Sequence, residues 1–238
     1  MDKISIITIC KNCKSDFDIT AQSIVKQDYP NIEWIVIDGG SIDGTVESIN
    51  NVAENISYFV SESDNGVYDA INKGIKAATG EWILCLNAGD YLTTDDILTK
   101  ALSLEDLDRH DALYSDCVVI SRNGKKYGSF MNHKTGLLHH QNFIYRRKLH
   151  AEHGMYLVTK PYIVSDLLFM LSLDRDLYKK LDTPIAYSKS GGISSGIWSG
   201  EQAIGLRISM GLISMPRGFM QYLKLYYIIL KKRLLHKH

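Results

Sequence analysis

The sequence predicts an α/β fold on a largely parallel sheet, and three observations carry that expectation. Short β-branched runs alternate with helical segments through the first half, turn residues separate them, and Trp82-Ile83-Leu84-Cys85-Leu86 is apolar on both faces before Asn87-Ala88-Gly89-Asp90. A strand with two apolar faces belongs in a parallel sheet covered by helices, and such sheets bind ligands at the carboxyl ends of their strands. Asp90 therefore falls at a binding edge.

Lys3 to Ile9 reads as the first strand, and Phe17 to Gln27 as a helix around an Ile24-centred apolar patch that Tyr29-Pro30-Asn31 stops. Ile32 to Ile37 is a second strand, and Asp38-Gly39-Gly40-Ser41 turns its end toward a helix through Asp43-Gly44-Thr45. Ile56 to Val60 gives a third strand, Tyr68 to Ala78 a helix closed by Gly80, and Trp82 to Leu86 a fourth strand. Sustained alternation with right-handed crossovers predicts a doubly wound, Rossmann-like sheet. Beyond Asp90 the rhythm changes. A helix near Ile97 to Leu102 precedes short strands at Ala112 to Ser115, Cys117 to Ile120 and Lys126 to Phe130, with Asn123-Gly124 as a hairpin turn. This half is expected to complete a mixed sheet and floor a substrate site. From Pro216 a helix carries Met220, Leu223, Tyr227, Leu230 and Leu234 on one seam, with Phe219, Tyr222, Tyr226 and Ile229 beside it. Lys224 and Lys231 interrupt it and exclude a span of about 20 apolar residues. The expected organisation is one domain over residues 1–200 and a basic amphipathic extension over residues 201–238.

With 238 residues, 45% of them hydrophobic and only four prolines, the chain has material for one sizeable core and no signature of disorder. Cys10, Cys13, Cys85 and Cys117 are too few and too irregular for a disulfide framework, and no basic-then-apolar leader precedes the first strand, so a reducing cytosol is expected. Cys10-Lys11-Asn12-Cys13 has the spacing of a redox or zinc pair, but no second pair completes a four-ligand zinc site. The formal net charge of zero conceals an asymmetry. After Glu201 come seven basic residues and no acidic one, so the rest holds 20 basic residues against 27 acidic ones. A basic tail on an acidic body suggests a dedicated surface for anionic lipid or nucleic acid.

Asp38, Asp64, Asp90 and Asp166 stand at strand ends or beyond them, and adjacent parallel strands deliver such ends to one edge. A single aspartate commonly caps a helix or closes a turn. Several together suit a nucleoside diphosphate, whose divalent cation takes hard oxygen ligands, and Asp90 is the best ligand candidate. The loop Cys10 to Lys14 contains no glycine, which argues against a dinucleotide fold, and no P-loop is present.

Seven segments together resemble the ordered motifs of family-2 glycosyltransferases with a GT-A fold. They are Ile6-Ile7-Thr8 with Asn12, Gln27-Asp28-Tyr29-Pro30, Glu33 to Thr45, Ser61 to Ala70, Asn72-Lys73-Gly74, Gly80-Glu81-Trp82 and Asn87-Ala88-Gly89-Asp90. The resemblance is strong over roughly the first hundred residues and weaker at His140-Gln141 and Ile163-Val164-Ser165-Asp166, which resemble the acceptor-side segment and the general-base position. It implies a GT-A mixed sheet flanked by helices, with donor-nucleotide contacts at Thr8, Asp38, Asp64, Asn72, Asn87, Ala88 and Gly89. It also implies Mn²⁺ or Mg²⁺ at Asp90, and acceptor-side contacts at His140, Gln141 and Trp198. Two departures stand out. Asn87 and Gly89 occupy positions where relatives often have aspartates, and Gly39 replaces a second aspartate that recognises the base in many relatives.

The implied reaction is inverting transfer of one sugar, with Asp166 as the base that deprotonates an acceptor hydroxyl and a metal stabilising the departing diphosphate. The structural alternative for Asp166 is a cap on the helix Leu167-Leu168-Phe169-Met170-Leu171. His139 and His140, if on a strand, would face opposite ways, leaving one at the site or both structural. Gly191-Gly192-Ile193-Ser194-Ser195 with Trp198 suggests a flap over the donor. A UDP-sugar is expected before a GDP-sugar, with a glycan or polyprenyl-linked acceptor, no nucleic acid, and room for a homo-oligomer. The tail suggests peripheral attachment at the inner face of the cytoplasmic membrane, against packing on the domain or on a second copy. The competing readings are a non-catalytic nucleotide-sugar-binding partner of a transferase complex and, more distantly, a nucleotidyltransferase, whose glycine-arginine-rich loop is absent.

Overall fold

The computed structural model describes residues 1–121, 123–159, 163–191 and 197–235. In chain order the first half supplies β1 (Ile4–Cys10), α1 (Lys14–Val25), β2 (Ile32–Asp38), α2 (Thr45–Asn50), β3 (Tyr58–Ser61), α3 (Val67–Ala77) and β4 (Trp82–Cys85). Next come β5 (Tyr91–Leu92), α4 (Ile97–Leu102), β6 (Ala112–Tyr114), β7 (Cys117–Ile120), β8 (Lys126–Ser129) and β9 (Phe143–Arg146). The rest comprises α5 (Leu149–His153), α6 (Ser165–Ser172), β10 (Tyr178–Lys180), β11 (Ala186–Lys189), α7 (Ile197–Ser209) and α8 (Met215–Leu235).

Seven strands form the main sheet in the order β10-β6-β9-β4-β1-β2-β3. The four strands from the β-branched runs pair in parallel, whereas β9 inserts antiparallel between β4 and β6. Alternation along β1 builds a core on each face. Ile4 and Ile6 join Phe17 and Ile24 of α1, Trp34, and Leu98 of α4, and the Phe17 and Trp34 rings stack at 5.8 Å. Ile7 joins Ile71 and Ile75 of α3, Tyr145, and Phe169 and Met170 of α6 on the other face. A smaller sheet, β5-β11-β7-β8, stands beside the main one.

Three local expectations change. The third strand starts at Tyr58 rather than Ile56 and is an edge strand with largely exposed side chains. His139 and His140 are not on a strand, because His140–Asn142 forms a 3₁₀ turn that feeds β9 at Phe143. α7 has no clear sequence signature, because Gly200 and Gly205 lower its helix propensity, and the expected boundary at residue 200 falls within it.

Candidate active site

Register places the first cluster. Cys10 of β1 lies opposite Asp38 of β2, which lies opposite Ser61 of β3, so the three end together at the carboxyl edge. Asp38 is fully buried. Its Oδ2 accepts from the Gly40 amide at 3.1 Å, the Ser41 amide at 2.8 Å and the Ser61 hydroxyl at 2.6 Å, while Oδ1 accepts from the Ser41 hydroxyl and, at 3.6 Å, the Cys10 thiol. Burial alone would raise its pKa, but the Ser41 and Ser61 hydrogen bonds outweigh it and hold the carboxyl below its usual range.

Asp64 lies in the loop after β3 and accepts from the Gly66 amide at 2.8 Å. A Cβ on Gly39 would come within 2.6 Å of Asp64 Oδ2 and 3.0 Å of Lys11 Cδ. The missing side chain at 39 thus gives the Asp64 carboxylate its place beside the Asp38 cradle.

Beyond Cys85 the chain stays on β1, with the Leu86 amide donating to Ile7 at 2.9 Å and the Ala88 amide to Ile9 at 3.1 Å. It then turns through Gly89, whose φ of 99° suits glycine, so that the Asp90 amide reaches the Asn87 carbonyl at 3.0 Å. The Thr20 hydroxyl clamps this turn, accepting from the Gly89 amide at 2.9 Å and donating to the Asp90 carbonyl at 2.7 Å. Asp90, 6% exposed, accepts the Lys189 amide of β11 at 2.8 Å on Oδ1 and a hydrogen bond from Gln141. Burial pushes its pKa up to about 7, the Lys189 amide and Gln141 oppose that rise, and the charge of Asp16 adds to it.

Gln141 has His140 as its neighbour on the 3₁₀ turn, and His140 Nδ1 lies 3.8 Å from Asp166 Oδ2. Asp166 is the second residue of α6, whose cap position is Val164, so it does not cap the helix. Its Oδ1 accepts the Tyr68 hydroxyl at 2.7 Å, and that hydroxyl accepts the Ser165 amide at 3.1 Å. Burial and the adjacent Asp166 charge keep the Tyr68 phenol protonated far above its usual range. The Asp166 side chain is 20% exposed. Burial lowers the pKa of His140, and lowers that of His139 to about 4 with the neighbouring His140 charge adding, so both imidazoles are neutral at pH 7.

The turn at 140–141 therefore links Asp90 to Asp166. Thr8, Asn72 and Trp198 stand outside this linkage. Thr8 is fully buried, and its hydroxyl accepts the Trp34 indole at 3.0 Å. Asn72 uses both ends of its amide on the Tyr156 backbone, at 2.8 and 3.1 Å, and holds the ring that packs edge-on against Tyr68 and His140. Ala88 is half-buried. Trp198, on α7, is 65% exposed. Of the expected flap, Gly192 to Ser195 lie outside the described residues. Tyr68, Ser41 and Ser61 sat unsingled inside the quoted motifs, whereas Lys189 and Thr20 had no local signal, since folding alone brings them to the Asp90 turn.

Among the described residues no three His, Cys, Asp or Glu side chains converge as a metal cluster. Asp90 and Asn87 nevertheless fit a divalent cation shared with a bound ligand. The Asp90 carboxyl is buried without a full counter-charge, and Asn87 Oδ1 is a buried oxygen with no partner.

Comparison with known proteins decides the family. The profile of glycosyl transferase family 2 matches residues 5–167, more than half of the chain. The chain belongs to glycosyltransferase family 2. Over 160 residues it is 33% identical to a PGL/p-HBAD biosynthesis glycosyltransferase of Mycobacterium bovis, covering 64% of this chain and 62% of the relative. Over 97 residues it is 36% identical to the poly-beta-1,6-N-acetyl-D-glucosamine synthase of Staphylococcus epidermidis, covering 40% of this chain and 24% of that enzyme. The chain thus spans less than two thirds of the length of these curated relatives. S. aureus TarS 1-349 in complex with UDP-GlcNAc shares the fold at a TM-score of 0.72 and 20% identity, over 94% of this family-2 chain and 71% of TarS. The mannosyltransferase PcManGT from Pyrobaculum calidifontis, solved with GDP-Man and Mn²⁺, gives 0.64 at 18% identity, over 94% and 69%. The GT-A fold read from the sequence is the fold observed.

Proposed function

We propose that this protein is an inverting, metal-dependent transferase that moves one sugar from a nucleotide-sugar donor to a hydroxyl of a glycan acceptor, with Asp166 as the base. The observation that carries the proposal is the Tyr68–Asp166–His140 arrangement. One oxygen of Asp166 is pinned by a neutral phenol, the other lies 3.8 Å from the neutral imidazole of His140, and the turn that carries His140 also reaches Asp90. Oδ2 of Asp166 takes the hydroxyl proton as the acceptor oxygen bonds to the anomeric carbon and the bond from that carbon to the diphosphate breaks. Tyr68 fixes the carboxylate, and His140, whose burial opposes its gaining charge, stands beside it as a neutral imidazole. The Asp38 cradle and Asp64 suit the nucleoside end of the donor. A divalent cation at Asp90 and Asn87 would supply positive charge to the departing diphosphate. A UDP-sugar is the expected donor and a GDP-sugar the alternative; the fold neighbours TarS and PcManGT are solved with UDP-GlcNAc or UDP and with GDP-Man.

One observation favours a second reading, a non-catalytic nucleotide-sugar-binding partner: Asn87 and Gly89 stand where relatives often have aspartates, so Asp90 is the one charged side chain of that motif. Thermal shift with UDP- and GDP-sugars in the presence of Mn²⁺, followed by donor hydrolysis without acceptor, separates the two. A stabilising donor that is slowly hydrolysed only with Mn²⁺ is the expected result. A donor that binds but is neither hydrolysed nor transferred leaves the binding partner.

A further inference from the structure

The C-terminal hairpin divides α8 lengthwise. One side packs on α7: a Cβ on Gly218 would lie 2.3 Å from Ile208 Cδ1, one on Gly200 would lie 3.1 Å from Leu225, Arg207 donates to Gln221 at 3.0 Å, and the Tyr222 hydroxyl donates to the Glu201 carbonyl at 3.1 Å. The other side carries Phe219, Met220, Leu223, Tyr227 and Leu230, which recur at helical spacing and are 49–65% exposed. Arg217, Lys224 and Lys231 recur every seven residues and so form a line along one border of this stripe. α8 contains no Asp or Glu.

We propose that this face of α8 lies flat on an anionic lipid bilayer, with the apolar stripe in the acyl boundary and the line of cations at the headgroups. Charge decides the occupant. Three cations beside an apolar stripe, with no acid on the helix, match a negatively charged interface. A second copy would bring the same cations to the contact, α8 offers no carboxylate to meet them, and the nearest one, Glu201 of α7, is already engaged by the Tyr226 hydroxyl. Among the described residues no helix is long and apolar enough to cross a membrane, so α8 rests on the surface.

The hairpin is also tied to the acceptor side of the site. Gln202 of α7 accepts the Ile163 amide at 2.9 Å, three residues before Asp166, and Arg207 donates to the Thr135 carbonyl at 2.6 Å, five residues before His140. A bilayer under α8 would present its acceptor at this edge. A lipid-linked acceptor follows, and that clause alone rests on the proposed transfer reaction.

The test is co-sedimentation of the full chain with phosphatidylglycerol–phosphatidylcholine vesicles and with pure phosphatidylcholine vesicles. Phe219→Glu/Leu223→Glu removes the stripe and Lys224→Glu/Lys231→Glu reverses the border, all at surface positions. The wild type is expected to prefer anionic vesicles by roughly tenfold or more, and each double variant to lose at least about that much, with unchanged circular dichroism. Equal affinity for both vesicle types, or variants that bind as the wild type does, would overturn the proposal. So would a dimer that the stripe variant converts to monomer without any vesicle binding. Vesicle binding by a chain that transfers no sugar contradicts the transferase reading and leaves this one standing; transfer without vesicle binding does the reverse.

Discussion

Asp38 and Asp90 lie at the same edge of one sheet, are both almost inaccessible to water, and have been treated by the fold in opposite ways. Asp38 is surrounded by donors and pulled below the usual carboxylate range, whereas Asp90 is held by an amide and Gln141, faces a like charge, and is pushed up to about 7. The contrast separates two functions that burial alone would confuse. Asp38 is a finished anion that shapes a polar cradle, and Asp90 is a carboxyl whose burial outweighs its donors and the nearby Lys189 charge, which leaves a place for the charge of a bound cation.

Removing the finished anion should have the largest effect on stability. Asp38→Ala removes a buried carboxylate together with its hydrogen bonds from the part-buried Gly40 and Ser41 amides and the Ser41 and Ser61 hydroxyls, and we expect a loss of about 2–4 kcal/mol in urea unfolding. The pH dependences should then run in opposite directions. A depressed pKa at Asp38 stabilises the fold above the ordinary carboxylate range and is lost as pH falls below about 4. A raised pKa at Asp90 means that the folded chain holds its proton more tightly than the unfolded chain, so its contribution is present below about 4 and lost as pH rises toward 7. Asp90→Asn should therefore gain on the wild type between pH 5 and 8, by about 1–3 kcal/mol, and Mn²⁺ with a nucleoside diphosphate should narrow the gap by stabilising only the wild type. A pH-independent difference between the two would remove the contrast.

Smaller changes sharpen it. Ser61→Ala deletes one of the Asp38 donors and should cost about 1 kcal/mol, with the acid limb of the stability curve moving to higher pH. Gly39→Ala should alter stability by less than about 1 kcal/mol, because the group it crowds, the Asp64 carboxylate, is a side-chain end that can turn away. It should nevertheless weaken nucleotide binding measured by calorimetry. Unaltered affinity would remove Asp64 from the donor site.

The legibility of the molecule follows the same division. The first half was readable because parallel strands buried on both faces are continuous apolar runs and their ends carry local motif residues; Asp38, Asp64 and Asp90 all fall at the edge they were assigned to. The second half depends on long-range pairing. β9, β10 and β11 are three or four residues long, and β9 is ordered by neighbours on both sides rather than by its own pattern. Lys189, whose amide binds Asp90 across 99 positions of sequence, carries no signal of its own. Thr8 and Asn72 show the converse. Their motif positions were legible, but their polar atoms face Trp34 and the Tyr156 backbone, a choice that only tertiary packing makes. Likewise the α8 seam was visible as a periodicity, while which side would meet α7 depended on glycines that let the helices approach.

The central claim is that Asp166 acts on the acceptor and has no part in holding the donor. Donor affinity and turnover of Asp166→Asn, measured side by side on the same preparation, test it most directly. We expect a donor Kd within about twofold of the wild type and a kcat lower by about 10²–10⁴-fold. Undiminished turnover, or a donor that no longer binds, would contradict the account.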